Sequence, residues 1–104
     1  LYQASYTPES LAAQMKNPVD RLAQVGALME QSVSAKIIGG GFSFGDYDIA
    51  VILEADNDAT AAAVAIAIGA GGAIRSAKTT PLLSGGEWIA AMTTASKITY
   101  TPAK

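Results

Sequence analysis

Residues 42–58 read FSFGDYDIAVILEADND. Inside this stretch Ile49 to Leu53 is an unbroken apolar run, bracketed by Asp48 and Glu54 and followed by the polar cluster Asp56-Asn57-Asp58. A short aliphatic run bounded by turn and capping residues reads as a strand, here expected over residues 47–55. Gly45-Asp46 is expected to be a two-residue hairpin loop, with glycine supplying the positive φ of a type II′ turn. Asp is disfavoured within strands. A carboxylate at the mouth of a hydrophobic strand therefore raises the question of what it holds.

Working outward, residues 34–44, SAKIIGGGFSF, form the other arm of the hairpin. Gly39 to Gly41 predict a bulge there, or a point where another backbone approaches closely. At the start of the chain, LYQASY suits a short strand rich in Tyr. Thr7-Pro8-Glu9 then opens a helix with a hydroxyl cap, a proline at the first position and an acid at the positive dipole end; its apolar side is Leu11 and Met15. Asn17-Pro18 is expected to cap a second helical stretch, in which Val19, Leu22, Gly26 and Met29 fall on one stripe. Gly26 lowers helix propensity by roughly 1 kcal/mol against Ala, which points to close packing against a sheet.

Beyond the central strand, ATAAAVAIAIGAGG predicts a helix capped by Asp56–Asp58, ending at glycines and apolar nearly all round, hence buried on more than one side. Residues 73–83, AIRSAKTTPLL, are strand-like, and Pro81 marks an edge or an end. Ser84-Gly85-Gly86-Glu87 is a capping box opening a last helix to about Ser96, with Trp88, Ala91, Met92 and Ala95 as its inner face. The tail ITYTPAK is expected to be extended. The order β-α-β-β-α-β-α is an α+β pattern: a ferredoxin-like βαββαβ antiparallel sheet with a C-terminal helix. In that topology the first and third strands are central, so the glycine bulge and Pro81 fall on the edges, where each is tolerated. Helices cover one sheet face. A second copy packing sheet on sheet is the economical cover for the other, which makes a homodimer the expected state, with further assembly open through the Ala-rich helix and the tail.

Composition narrows the function classes. The chain has 104 residues, 50% hydrophobic and 15% charged, which fits a single domain over residues 1–104. Its mean hydropathy of +0.27 is apolar for that size, and contiguous apolar surface marks interfaces. A net charge of −2, with only seven scattered Lys and Arg, argues against nucleic acid as a partner. With neither Cys nor His there is no disulfide, zinc–thiolate site, thiol nucleophile or imidazole base, and no metal site or cofactor is expected. No apolar run is long enough for a membrane span, and the first residues lack a signal-peptide pattern, so a cytoplasmic location is the expectation.

The combination Phe44-Gly45-Asp46-Tyr47-Asp48 with Lys78-Thr79-Thr80-Pro81-Leu82-Leu83, joined by AIGAGGAIRSA and the acid-capped final helix, resembles the GYD-domain family. YTPES, NPVDR and YTPAK resemble one of its branches, so that the likeness covers nearly the whole chain. Gln31-Ser32-Val33-Ser34 departs from the family pattern, which often has Gly-Gly at that turn. The resemblance implies a ferredoxin-like fold of the dimeric α/β-barrel type and no established biochemical function. Related barrels include cofactor-independent oxygenases, isomerases and effector-binding modules, and fold alone does not choose among them.

On the central strand Tyr47, Ile49, Val51 and Leu53 share one face, toward the helices, while Asp48, Ala50, Ile52 and Glu54 share the face toward a partner. Asp48 is read in two ways: as a polar fixture of an inter-sheet cavity, or as a group that closes the hairpin or pairs with Arg75, Lys78 or Arg21. Tyr6, Phe42 and Trp88 are candidates to line an apolar pocket, with core packing the plainer duty of the last two. Lys78 is either a cavity cation or an exposed strand charge. The ligand-cavity candidates are thus Asp48, Glu54, Tyr6, Phe42, Arg75, Lys78 and Trp88. Neither GGG nor GAGG has phosphate-loop spacing, and Asp56–Asp58 lacks the rest of a calcium loop. The expected function is a homodimeric small-molecule-binding or assembly module, taking a small organic ligand between two sheets. The alternative is a cofactor-independent enzyme in the same cavity, with Asp48 as base and Tyr6 or Tyr47 as donor.

Overall fold

The computed structural model describes residues 1–103. The elements are β1 (Tyr2–Tyr6), α1 (Pro8–Lys16), α2 (Arg21–Val33), β2 (Lys36–Phe42), β3 (Ile49–Glu54), α3 (Asp58–Ala70), β4 (Ile74–Thr79) and α4 (Gly85–Ala95). The strands form one sheet in the order β2-β3-β1-β4, and every neighbouring pair is antiparallel. The fold is therefore α+β with a four-stranded antiparallel sheet, in the strand order of the ferredoxin-like topology, with β1 and β3 inside and β2 and β4 at the edges.

Local chemistry explains most boundaries. Thr7 caps α1 by accepting from the Ser10 amide, with Pro8 in the first turn. The second helix is capped by Asp20, which accepts from Ala23, and not by Asn17 as the Asn-Pro pair predicts. Asp20 sits directly before the apolar stripe, so its carboxylate reaches a helical amide that Asn17 is too early to meet. Val19 consequently lies ahead of the helix and is exposed. Ser34 ends α2 in the left-handed conformation at φ 58°, the turn where the sequence lacks the expected Gly-Gly. Asn57 caps α3 through Thr60, and the Ser84–Glu87 box is complete on α4.

The hairpin differs from expectation. Its connection spans residues 43–48, β3 begins only at Ile49, and Gly45 does not have positive φ. The amide of Ser43 donates to Asp48 O at 2.8 Å and its hydroxyl to Tyr47 O at 2.6 Å, so backbone bonds wider than a two-residue turn close the loop. The left-handed glycine is Gly40, at φ 88°, beside a bulge that leaves Ile38 unmatched between Ile37 and Gly39.

Pairing registers define the two sheet faces. Tyr2 opposes Val51 and Thr79, and Ala4 opposes Ile49 and Ala77. Tyr2, Ala4, Tyr6, Ile49 and Val51 face α2 and α3, and Leu22, Ile37, Ala65 and Ile68 pack on them to form the core. The opposite face carries the row Gly41–Ala50–Gln3–Lys78 and, beside it, Gly39 with Ile52. No helix covers it. α3 buries only Val64 in this chain, and Ile66 is 70% exposed, so the all-round apolar pattern is not matched by burial on more than one side. The inner face expected for α4 is also uncovered: every residue from 81 to 103 is exposed. The molecule measures 58 × 36 × 21 Å with a radius of gyration of 17.3 Å, against about 13 Å for a compact domain of this length. No helix is long and apolar enough to cross a membrane among the described residues.

Candidate functional site

Asp48 answers the question set by its position. At the end of β1 the pairing with β4 slips between Ser5 and Tyr6, and Arg75 is the unmatched residue of β4. Beyond Ala4 the β1–β3 ladder has run out. There the Asp48 amide donates to Ala4 O at 2.8 Å, and the Asp48 carboxylate accepts the Tyr6 amide at 2.9 Å. The side chain thus replaces a backbone acceptor where the strands part, a charge-assisted bond that closes the sheet end. Ser5, 2% exposed, completes the closure by donating to Asp46 O at 2.8 Å. The hairpin-closing reading of Asp48 is the one this geometry favours, and neither Arg75, Lys78 nor Arg21 forms an ion pair with it among the described residues.

The other candidates are dispersed. Tyr6 is buried on the helix side of the sheet. Phe42, 54% exposed, opposes Ile49 and lines a shallow depression between α2 and β2. Glu54 opposes Lys36 at the far end of β3, but the Lys36 ammonium lies 3.9 Å from Glu30 on α2. Lys78 projects from the uncovered face beside Gln3. Arg75 is exposed at the bulge, and Trp88 is exposed on α4. The structure joins Tyr6 and Asp48 by a hydrogen bond at one end of the sheet, has Arg75 and Phe42 at that same end on the two edge strands, and places Glu54, Lys78 and Trp88 away from them.

The two sides of the sheet present different surfaces. The first is the uncovered sheet face, whose floor is built from Gly39, Gly41, Ala50 and Ser76 around Gln3 and Lys78. The second lies on the opposite side of the sheet, where α2 and α3 diverge over β1 and β3 and leave a cavity of about 330 Å³. Tyr2, Tyr6, Leu22, Ile37, Val64 and Ile68 are among its walls. Tyr2 is the residue that sequence reasoning passed over. Its hydroxyl is buried with no hydrogen-bond partner among the described residues. A Tyr on an inward-facing position of a central strand is the signal that could have found it, because a buried phenol needs a partner. Burial raises the Tyr2 pKa, with Tyr6 adding to the effect, so Tyr2 stays a neutral donor. Tyr6 is raised by burial too, partly countered by Arg21, while Asp48 and Asp20 push it further up. The described residues hold no cluster of carboxylates suited to a metal ion.

A family model described as GYD domain matches residues 1–92. No curated protein and no solved structure matches the chain.

Proposed function

We propose, for a chain that belongs to the GYD domain family, that two copies pack their uncovered sheet faces together and hold a small organic ligand between them. The carrying observation is the composition of that face. Stacked sheets sit about 10 Å apart, a gap that large side chains normally fill from both sides. Gly39, Gly41, Ala50 and Ser76 are too short to meet their counterparts across it. A sheet-on-sheet dimer of this chain therefore encloses space, walled by Ile52 and provided with the Gln3 amide and Lys78 ammonium of each protomer. Lys78 has no acidic partner among the described residues, which suits a ligand with an acidic or hydrogen-bond-accepting group. The arrangement is a dimeric barrel in the sense the fold allows.

Binding is favoured over turnover because Asp48, the carboxylate expected to act as base, lies at the end of the sheet and is already engaged by the Tyr6 amide. Sedimentation velocity with native mass spectrometry tests the proposal. A dimer is expected at micromolar concentration, and Ala50→Arg, which places a charge in the middle of the face, should yield monomers that still unfold cooperatively in urea. A wild-type chain that remains monomeric at high concentration would overturn it. Retention of the dimer by the Ala50→Arg protein would overturn the sheet-on-sheet mode.

A further inference from the structure

From the helix-side cavity we propose a second binding site, for a linear apolar chain that ends in a carboxylate, such as a medium-chain fatty acid, with Arg21 holding the carboxylate. The volume of about 330 Å³ falls in the range typical of small-molecule sites, which are apolar with a few placed polar groups. α2 and α3 pack on different strands, β2 and β4 respectively, so the ground between them, over the middle of the sheet, is left open as a trough.

The length and polarity of that trough select the ligand. Its floor follows the inward positions of β3, which are Ile49, Val51 and Leu53. Four steps along a strand span roughly 13 Å. The α2 wall runs beside it from Arg21 to Met29, about 12 Å of helix. Floor and wall share one direction. Arg21 acts on the Tyr6 phenol at the Ile49 end of the sheet, whereas Met29 leads into β2, whose Ile37 opposes Leu53. Among the described residues that line the trough Arg21 alone is charged. It is exposed at the rim and has no acidic partner among the described residues. A guanidinium at one end of an otherwise apolar trough suits a carboxylate, which it can grip with two donors, and each methylene buried beyond that end adds to the affinity. Asp20 and Asp48 act on the same phenol, yet neither lines the trough. Each accepts from a backbone amide, Asp20 from Ala23 and Asp48 from Tyr6. They weaken the pull on an anion without occupying Arg21. The site lies across the sheet from the proposed dimer face and does not rest on that reading.

The test uses the full chain and a matched set of probes: octanoate, 1-octanol, octylammonium and butanoate. Affinity is read by amide chemical-shift titration, and location by intermolecular NOEs to the methyl groups of Leu22, Val25 and Ile68. Octanoate is expected to bind tightest. Arg21→Gln should weaken it by about three- to tenfold, the range of one ionic hydrogen bond at a partly exposed site, and leave 1-octanol unchanged. Arg21→Lys should restore part of the loss. Butanoate, too short to reach Leu53, should bind more than about tenfold less tightly than octanoate. Ala67→Phe, at an exposed α3 position on the cavity wall, should abolish binding of octanoate and 1-octanol alike without unfolding the protein. If Ala67→Phe does disturb the fold, Val25→Trp on α2 serves the same purpose. Equal affinity for octanoate and 1-octanol, a preference for octylammonium, an Arg21→Gln protein that binds octanoate as the wild type does, no binding of any probe, or NOEs confined to the open sheet face or α4 would each overturn the inference.

Discussion

Replacing Gly40 by Ala is the sharpest test of the β2–β3 register. Gly40 has φ 88°, and a Cβ built on it lies 2.1 Å from the Ala50 carbonyl oxygen and 2.8 Å from Val51 Cα. Both obstacles are backbone of the central strand and cannot rotate away. Holding an L-residue in this region costs about 1–2 kcal/mol. Relieving the clash means moving β2 from β3 by roughly 1 Å, which weakens one or two ladder bonds at about 1 kcal/mol each. The expected loss is about 3 kcal/mol, a large share of the roughly 5–15 kcal/mol that holds a small domain together. Gly41→Ala is the control: its Cβ meets nothing within 4 Å and its φ is ordinary, so about 0.5 kcal/mol or less is expected at this position. Urea unfolding followed by circular dichroism, at one fixed protein concentration to hold any association constant, reads both. A Gly40→Ala loss below about 1 kcal/mol, or a loss equal to that of Gly41→Ala, would refute the register and the close approach.

Asp48→Ala should cost about 2 kcal/mol and Asp48→Asn about half that, because the amide oxygen still accepts from Tyr6; faster hydrogen exchange of the Tyr6 amide in the Ala variant identifies the cause. Tyr2→Phe, in ligand-free protein, should leave stability unchanged or raise it by about 1 kcal/mol, since it removes an unsatisfied buried group. The same variant bears on alkaline unfolding. Tyr2 is raised above 10.0 by burial, so its stabilising contribution is present below that value and is lost as pH rises through the folded value, a loss Tyr2→Phe should reduce in the urea midpoint. Glu87 is lowered from 4.5 by its bonds to Ser84; its contribution to α4 is present above 4.5 and disappears as pH falls through the lower folded value, read as lost α4 amide protection that Ser84→Ala makes pH-insensitive.

The sheet was legible because strand and helix signals agreed at each step. Ile49–Leu53, the Asn57 and Ser84 caps and the glycine run each carry local chemistry that specifies an element without help from the rest of the chain. Errors arose where a local signal had a competitor a few residues away. Asn17-Pro18 lost to Asp20 because the apolar stripe, not the proline, decides where the helix begins. Gly45-Asp46 lost to a wider loop because Ser43 donates across it to the carbonyls of both Tyr47 and Asp48. The site was less readable for a different reason. Residues were grouped by the chemistry of their side chains, whereas the sheet's pleat puts Tyr6 and Lys78 on opposite faces, a property of register and bulge that composition does not encode. Tyr2 was missed because an apolar-looking strand position conceals its polar end.

The segment beyond Leu83 is where sequence and structure most clearly ask for a partner. α4 holds itself together through its capping box and packs against nothing substantial among the described residues, while Trp88, Ile89 and Met92 are 58–66% exposed. Helix propensity alone leaves so short a helix marginal in water, and an apolar stripe supplies stability only when something covers it. In the proposed dimer that cover is the neighbouring copy, and Trp88, the single Trp of the chain, reports on it directly. Its emission should shift to shorter wavelength as concentration rises through the association range, in step with the sedimentation coefficient. Truncation after Leu83 should leave the melting of the monomeric Ala50→Arg protein within about 2 °C of its full-length counterpart, since only marginal contacts are removed. The same truncation in the wild-type background should weaken the dimer. Emission that stays at the water-exposed wavelength while the protein dimerises would separate the arm from the interface and leave α4 without the role its exposed Trp, Ile and Met require.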